Sequence, residues 1–289
     1  MIDTEHVNCE TCTAPQGGFF DASDEASRSW PRIDLELNPY KGDFPLLASK
    51  PEIAFLDSAA TAQRPACVLD AQRRFYETMN ANPLRGLYSL SVEATEAIAS
   101  VRAQIASLIG ASSPNEVVFT RNTSESLNLV AKSFAPHVLN EGDEVVISIM
   151  EHHSNLIPWQ QACKAAGATL VYLYPTATGQ ITDEEIAAKI GPKTKIVAAT
   201  HVSNVLGCEN PIRKLADAAH ANNAYMVVDG AQSVPHMPVN VTELGADFFA
   251  FSAHKALGPM GVRVLWGKMG LLERTDPMLT GGEMIDSVT

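Results

Sequence analysis

Between residues 116 and 266 short apolar runs alternate with segments of helical periodicity, and this leaves few folds open. The runs at 116–120, 144–148, 169–174, 195–200, 224–228, 248–251 and 262–266 read as strands. Those at 123–134, 155–166, 183–190 and 211–221 place apolar residues three and four apart and read as helices. Strands apolar on both faces need helices on both sides, so an α/β fold with a mostly parallel sheet is expected. Ligands of such sheets bind beyond the carboxyl ends of the strands. Polar residues collect at those ends: Thr120 to Glu125, Met150 to Asn155, His201 to Asn204, Asp229 to Gln232 and Ser252 to Lys255.

The part before the alternation is less regular. Residues 1–45 are polar and aperiodic and predict a mobile extension; residues 46–289 are expected to form one large domain. Order should begin near Ile53 with a strand at 53–57, followed by Pro65 at the first position of a helix over 68–79. Ser91 then suits the N-cap of a helix running to Gly110. With 21 Lys and Arg against 33 Asp and Glu, the net charge is −12, which argues against a nucleic-acid surface and suits small-molecule substrates. No apolar run approaches the ~20 residues that span a bilayer. Met1 is followed by acidic and polar residues, not by the basic and apolar segments of a signal peptide. Five cysteines, an odd count, fit a reducing cytoplasm better than a disulfide framework. Cys9 and Cys12 form a CxxC with only His6 near, too few ligands for zinc, and no metal is expected.

The strand-end groups together suit pyridoxal phosphate, which needs a lysine, an acid, an anion cradle and a stacking partner. Lys255 leaves a buried strand, where desolvation lowers an amine's pKa and frees it to attack a carbonyl. Asp229 closes another apolar strand; a buried carboxylate there calls for a cation, and a pyridinium nitrogen is one. Thr123 and Ser124 open a helix, where free amides favour a phosphate, and Ser252 and His254 add donors. His152 is placed to stack on the ring or carry a proton, and Gln232 and Asn204 to meet the ring hydroxyl. No GxGxxG or Walker A loop offers a dinucleotide or triphosphate site instead.

Five motifs carry a resemblance. They are Phe55 to Ala60 (FLDSAA), Glu151 to Asn155 (EHHSN), Thr200 to Gly207 (THVSNVLG), Val228 to Gln232 (VDGAQ) and Ser252 to Lys255 (SAHK). In this order, from about residue 50 onward, the chain resembles the group II (SufS-type) cysteine desulfurases and selenocysteine lyases of the class V aminotransferase fold. The resemblance implies the large domain of a homodimeric fold-type I enzyme that takes sulfur from L-cysteine, or selenium from L-selenocysteine, and leaves L-alanine. It implies a persulfide passed to an acceptor protein for iron–sulfur cluster assembly. Lys255 matches the Schiff-base lysine, Asp229 the partner of the ring nitrogen, His152 the stacking and proton-handling histidine and Gln232 the ring-hydroxyl contact. Thr123, Ser124, Ser252 and His254 match phosphate ligands, and Asn204 a residue beside cofactor and substrate. Residues 281–285 resemble a stretch that approaches the partner subunit's site.

Departures from the pattern set the alternatives. Family members continue for more than a hundred residues, which carry the persulfide-forming cysteine and a carboxylate-gripping arginine, so a C-terminal small domain is expected to be absent here. None of the five cysteines matches the nucleophile, Cys208 being nearest the site. Leu84-Arg85-Gly86-Leu87-Tyr88 replaces a motif with two histidines, and Ala253 and Arg263 stand where glycine is usual. The chain is therefore expected to be part of a desulfurase, with an inactive or regulatory cofactor-binding remnant, or a selenocysteine lyase or other class V enzyme using the same cofactor, as alternatives. A remnant should expose apolar surface.

Overall fold

The computed structural model describes residues 39–84 and 86–281. The chain divides into two units, Met1–Tyr40 and Lys41–Thr289, and of the first only Pro39 and Tyr40 are described. The expected CxxC and most of the expected extension thus lie outside the described residues.

The second unit is built on one seven-stranded sheet: β1 (Val117–Thr120), β2 (Glu144–Ser148), β3 (Thr169–Leu173), β4 (Thr194–Thr200), β5 (Tyr225–Asp229), β6 (Phe248–Ser252) and β7 (Arg263–Gly267). Its order is β1-β7-β6-β5-β4-β2-β3, and every neighbouring pair is parallel except the two that β7 makes. The expected α/β class is the observed one. Register aligns the strand ends: Thr200 of β4 lies opposite Asp229 of β5, and Ser252 of β6 opposite Arg263 of β7. The carboxyl ends of β1 to β6 and the start of β7 therefore share one edge.

Alternate side chains feed opposite cores, as the two-residue period of a strand requires. Val146, Val197, Ala199, Met226, Val228 and Phe249 join one cluster; Val145, Ile147, Ile196, Ala198, Val227 and Ala250 join the other. Helix α7 (Ile212–Ala221) covers the first face, burying Ile212, Leu215, Ala216 and Ala219 at helical spacing. Burial of its Ile and Leu is worth about 1.5–3 kcal/mol each. Helices α4 (Thr123–Leu129) and α5 (Ile157–Ala166) cover the second face, anchored by Leu127 and Trp159. The α4 segment runs on through a π-turn at Val130–Phe134 and a 3-10 turn at Ala135–His137. Pro136, which has no N–H to donate, lies in that last turn. On the first face beside α7, α6 (Asp183–Lys189) buries Ile186 and starts on a Thr182 side-chain cap with three acidic residues in its first turn.

Residues 53–57 form no strand among the described residues: no neighbour offers a ladder, and Leu56 is 92% exposed. Order begins earlier than Ile53, in a 3-10 turn at Lys41–Asp43 and in α1 (Pro45–Ser49), where Pro45 suits the first helical turn. Pro65 is the N-cap of α2 (Ala66–Thr78) and not its first residue. Helix α3 (Ser89–Leu108) starts after Tyr88, so Ser91 is internal and buried. Its hydroxyl donates to Asn82 O at 2.7 Å and accepts from Gly86 N at 3.0 Å, tying the preceding loop to the helix.

Behind the strand edge, Gly230 lies against the buried Phe249 ring, and a Cβ there would stand 1.9 Å from its Cζ. Gly230→Ala is expected to destabilise the fold by about 1–3 kcal/mol or more through overpacking. Gly191→Ala, which meets open space, should stay within ~0.5 kcal/mol of the parent. Urea unfolding of the two variants checks this, and equal midpoints would refute the packing argument.

Candidate active site

The site begins where β5 and β6 stop. Asp229 ends β5 only 3% exposed, and its Oδ1 accepts from Ala231 N at 3.0 Å. Burial pushes its pKa up, against the opposing pull of that N–H, Lys255 and His152. Beyond Ser252, a single 3-10 turn at Ala253–Lys255 delivers His254 and Lys255. Burial lowers the pKa of Lys255, Asp229 opposes that and Arg263 adds to it. The chain then closes through Leu257, in the left-handed region at φ 63°, and Gly258 N donates to Ala253 O at 2.8 Å. His254 is held near pKa 4 by burial and by the charges of Arg263, Lys255 and Arg64, so it is a neutral ring at physiological pH.

A second set of groups comes from the loops after β1 and β2. Asn122 caps α4 by accepting from Glu125 N at 2.7 Å. Thr123 and Ser252 share a hydroxyl–hydroxyl bond that joins α4 to β6. Ser124 Oγ meets Ser154 Oγ at 2.6 Å, and Ser154 N donates to His152 Nδ1 at 3.1 Å. Because that N–H can only donate, the proton of a neutral His152 sits on Nε2. Gln232 Nε2 donates to Ala59 O at 2.8 Å, and Ala62 N to His254 O at 2.9 Å. These bonds bring residues 57–62 over the strand ends as a wall.

A pocket of about 540 Å³ gathers all nine expected residues: Thr123, Ser124, His152, Asn204, Asp229, Gln232, Ser252, His254 and Lys255. Asp57, Asn122, Ser154, Thr200 and Arg263 also line it. None of the described cysteines does: Cys67 is exposed, Cys163 is buried with its thiol pushed up to about 11, and Cys208 contacts Met150 Sδ at 3.8 Å. Residues 282–285 lie outside the described residues, as does Arg85.

Glu151 was not foreseen. Its carboxyl turns inward beside His152, accepting from Ser148 Oγ, from Thr200 N at 2.9 Å and from Asn155 Nδ2 at 2.6 Å. Asn155 in turn accepts from buried Trp159 Nε1 at 2.9 Å. Burial outweighs these donors and lifts Glu151 to about 8, with Asp229 pushing the same way. A carboxyl whose folded pKa is raised contributes stability that is full below its unfolded pKa of about 4.5 and lost as pH climbs through 8. Glu151→Gln should therefore gain stability relative to the parent between pH 5 and pH 9. Urea midpoints at the two pH values measure this, and an unchanged difference would refute it.

A desolvated amine, a buried carboxylate, an imidazole and several hydroxyls converge on one cavity, and the buried Nε of Arg263 has no partner. This fits a small molecule with an aldehyde, a protonatable ring nitrogen and an anionic arm. Residues 54–289 match the family described as aminotransferase class-V. A probable cysteine desulfurase of Halalkalibacterium halodurans is 49% identical over 264 residues, 91% of this chain and 62% of that protein. A cysteine desulfurase of Yersinia pestis is 44% identical, over 89% of this chain and 64% of that one. Among solved structures, the apo cysteine desulfurase of Thermococcus onnurineus NA1 superposes with a TM-score of 0.82 at 38% identity, covering 91% of this chain and 64% of that chain. The chain thus spans a little under two thirds of each of these proteins, and its sheet has the fold-type I architecture of such enzymes. The chain belongs to the aminotransferase class-V family, and the cofactor its pocket fits is pyridoxal 5′-phosphate.

Proposed function

We propose that residues 46–289 are the large, cofactor-binding domain of a SufS-type cysteine desulfurase, and that residues 1–45 are an extension to it. The reaction would convert L-cysteine to L-alanine and pass the sulfur, as a persulfide, to an acceptor protein serving iron–sulfur cluster assembly. The observation that carries this reading is the meeting of Lys255 and Asp229, both desolvated, in one pocket of a chain whose relatives are named cysteine desulfurases.

When bound, the cofactor supplies an electron sink that weakens bonds at the substrate's α-carbon. The protein's own groups do the rest. Lys255, its pKa lowered by burial and so more readily deprotonated, would offer its amine to the aldehyde and could later carry a proton. Asp229, excluded from water, holds the proton of the ring nitrogen. His152 would stack on the ring and, with Nδ1 occupied by Ser154 N, could move a proton at Nε2. Thr123, Ser124, Ser252 and neutral His254 hold the phosphate by hydrogen bonds. Gln232 would meet the ring hydroxyl, and Asn204, which lines the same pocket, would lie beside cofactor and substrate.

Sulfur transfer needs a thiolate, and none of the described cysteines lines the pocket. The nucleophile is accordingly assigned to a cysteine other than the five of residues 1–289. The same fact favours a second reading, a cofactor-binding chain without desulfurase activity. Selenocysteine as the preferred substrate is a third. Homodimerisation is supported by apolar residues left in water: Leu56 at 92%, Leu87 at 102% and Val205 at 81% exposure. Helix α2 likewise buries none of its residues. A reducing, cytoplasmic setting accords with the exposed thiol of Cys67.

Adding pyridoxal phosphate should produce a visible absorption band that Lys255→Ala lacks. His152→Ala should keep that band and lower alanine formation from cysteine by about 10²–10⁴-fold. A band without alanine or sulfide from the parent chain favours the inactive reading; product from selenocysteine alone favours the lyase. No Lys255-dependent band would overturn the assignment.

A further inference from the structure

Arg263 is 7% exposed, opens β7 and lines the pocket, yet its Nε has no hydrogen-bond partner and its Nη1 donates to the carbonyl of the preceding residue, Val262, at 2.7 Å. Burying a guanidinium without an anion is costly, several kcal/mol as an order of magnitude. Among the described residues no ion pair reaches it. Nearby, Arg64 bonds Thr61 Oγ1 at 3.2 Å and Ala62 O, and leaves a buried Nη2 unpartnered as well. The two arginines are close enough for Arg64 to depress Arg263, and both depress His254. Two cations with open donors beside a neutral imidazole describe a place built for a multiply charged anion.

The ladder says which part of the pocket this is. β7 runs antiparallel to β6 and to β1, so Arg263 lies directly opposite Ser252 and Thr120. Residues opposite each other in an antiparallel pair project from the same face of the sheet. That face is the one α4 covers, and Ser252 is bonded there to Thr123. Arg263 therefore shares a face with the hydroxyls of Ser252 and Thr123, two strands across the sheet from Asp229 on β5.

Resting on the cofactor reading above, we propose that Arg263, backed by Arg64, forms an additional anion subsite that takes the phosphate monoester dianion of the cofactor. Its guanidinium brings charge to a cradle otherwise made of hydroxyls and a neutral histidine. The phosphate becomes the main anchor of binding, and pyridoxal without it should be held far more weakly.

The test is binding to the 289-residue chain of three probes: inorganic phosphate and pyridoxal phosphate by calorimetry, and pyridoxal by fluorescence. Arg263→Met keeps the stem and removes the charge, and Arg263→Lys restores a charge; circular dichroism verifies that both fold. The methionine variant should bind inorganic phosphate and pyridoxal phosphate about tenfold or more weakly while pyridoxal changes little, and lysine should recover part of the loss. Equal losses for pyridoxal and its phosphate, or no loss of inorganic phosphate, would overturn the subsite. If the parent forms no Lys255-dependent band but still binds phosphate through Arg263, the cofactor reading falls and the subsite stands. If the band forms and Arg263→Met leaves phosphate binding intact, the subsite falls and the cofactor reading stands.

Discussion

Everything at this site depends on two opposite charges withheld from water, Asp229 and Lys255. Each ends or follows a strand with an apolar, buried centre, so the sheet that forms the core also strips the two groups of solvent. Desolvation raises the carboxyl and lowers the amine, and each partly reverses the shift of the other. The result is a pair held by the fold in a state neither would adopt alone in water. A ligand that gives the carboxylate a protonated nitrogen and the amine a carbonyl relieves both costs at once.

The sheet makes this possible through register. Asp229 pairs with Thr200 on one side and with Ala250 on the other, so adjacent strands end at nearly the same height. Gly230 then lets the chain turn over Phe249 without a side chain in the way. The hydroxyl network of Thr123, Ser252, Ser124 and Ser154 sews the loops from β1, β2 and β6 together, while residues 57–62 close the pocket through Gln232 and His254. Local geometry is thus set by contacts between segments far apart in sequence.

The strands, and the fact that their ends carry the chemistry, were legible because apolar runs and helical periodicity are local signals. The nine residues that meet in the pocket were found by the rule that ligands of a parallel sheet sit at its carboxyl edge. Arg263 escaped that rule for a topological reason: β7 is antiparallel, so its first residue, not its last, lies on the active edge. Glu151 escaped because its neighbours in sequence look like a polar loop; the groups that bury it, Thr200 and Asn155, come from another strand end and the next turn. Residues 53–57 carry a strand-like pattern but have no partner to pair with, and pattern alone does not supply one.

The most direct test of the paired-charge account is to trap the cofactor chemically. Pyridoxal phosphate is added at a stoichiometric amount, the complex is reduced with borohydride, and the modified lysine is located by peptide mass mapping. The account predicts modification at Lys255, because its lowered pKa and its place beside Asp229 set it apart from the surface lysines. Modification spread over exposed lysines, with Lys255 left unmodified, would contradict it.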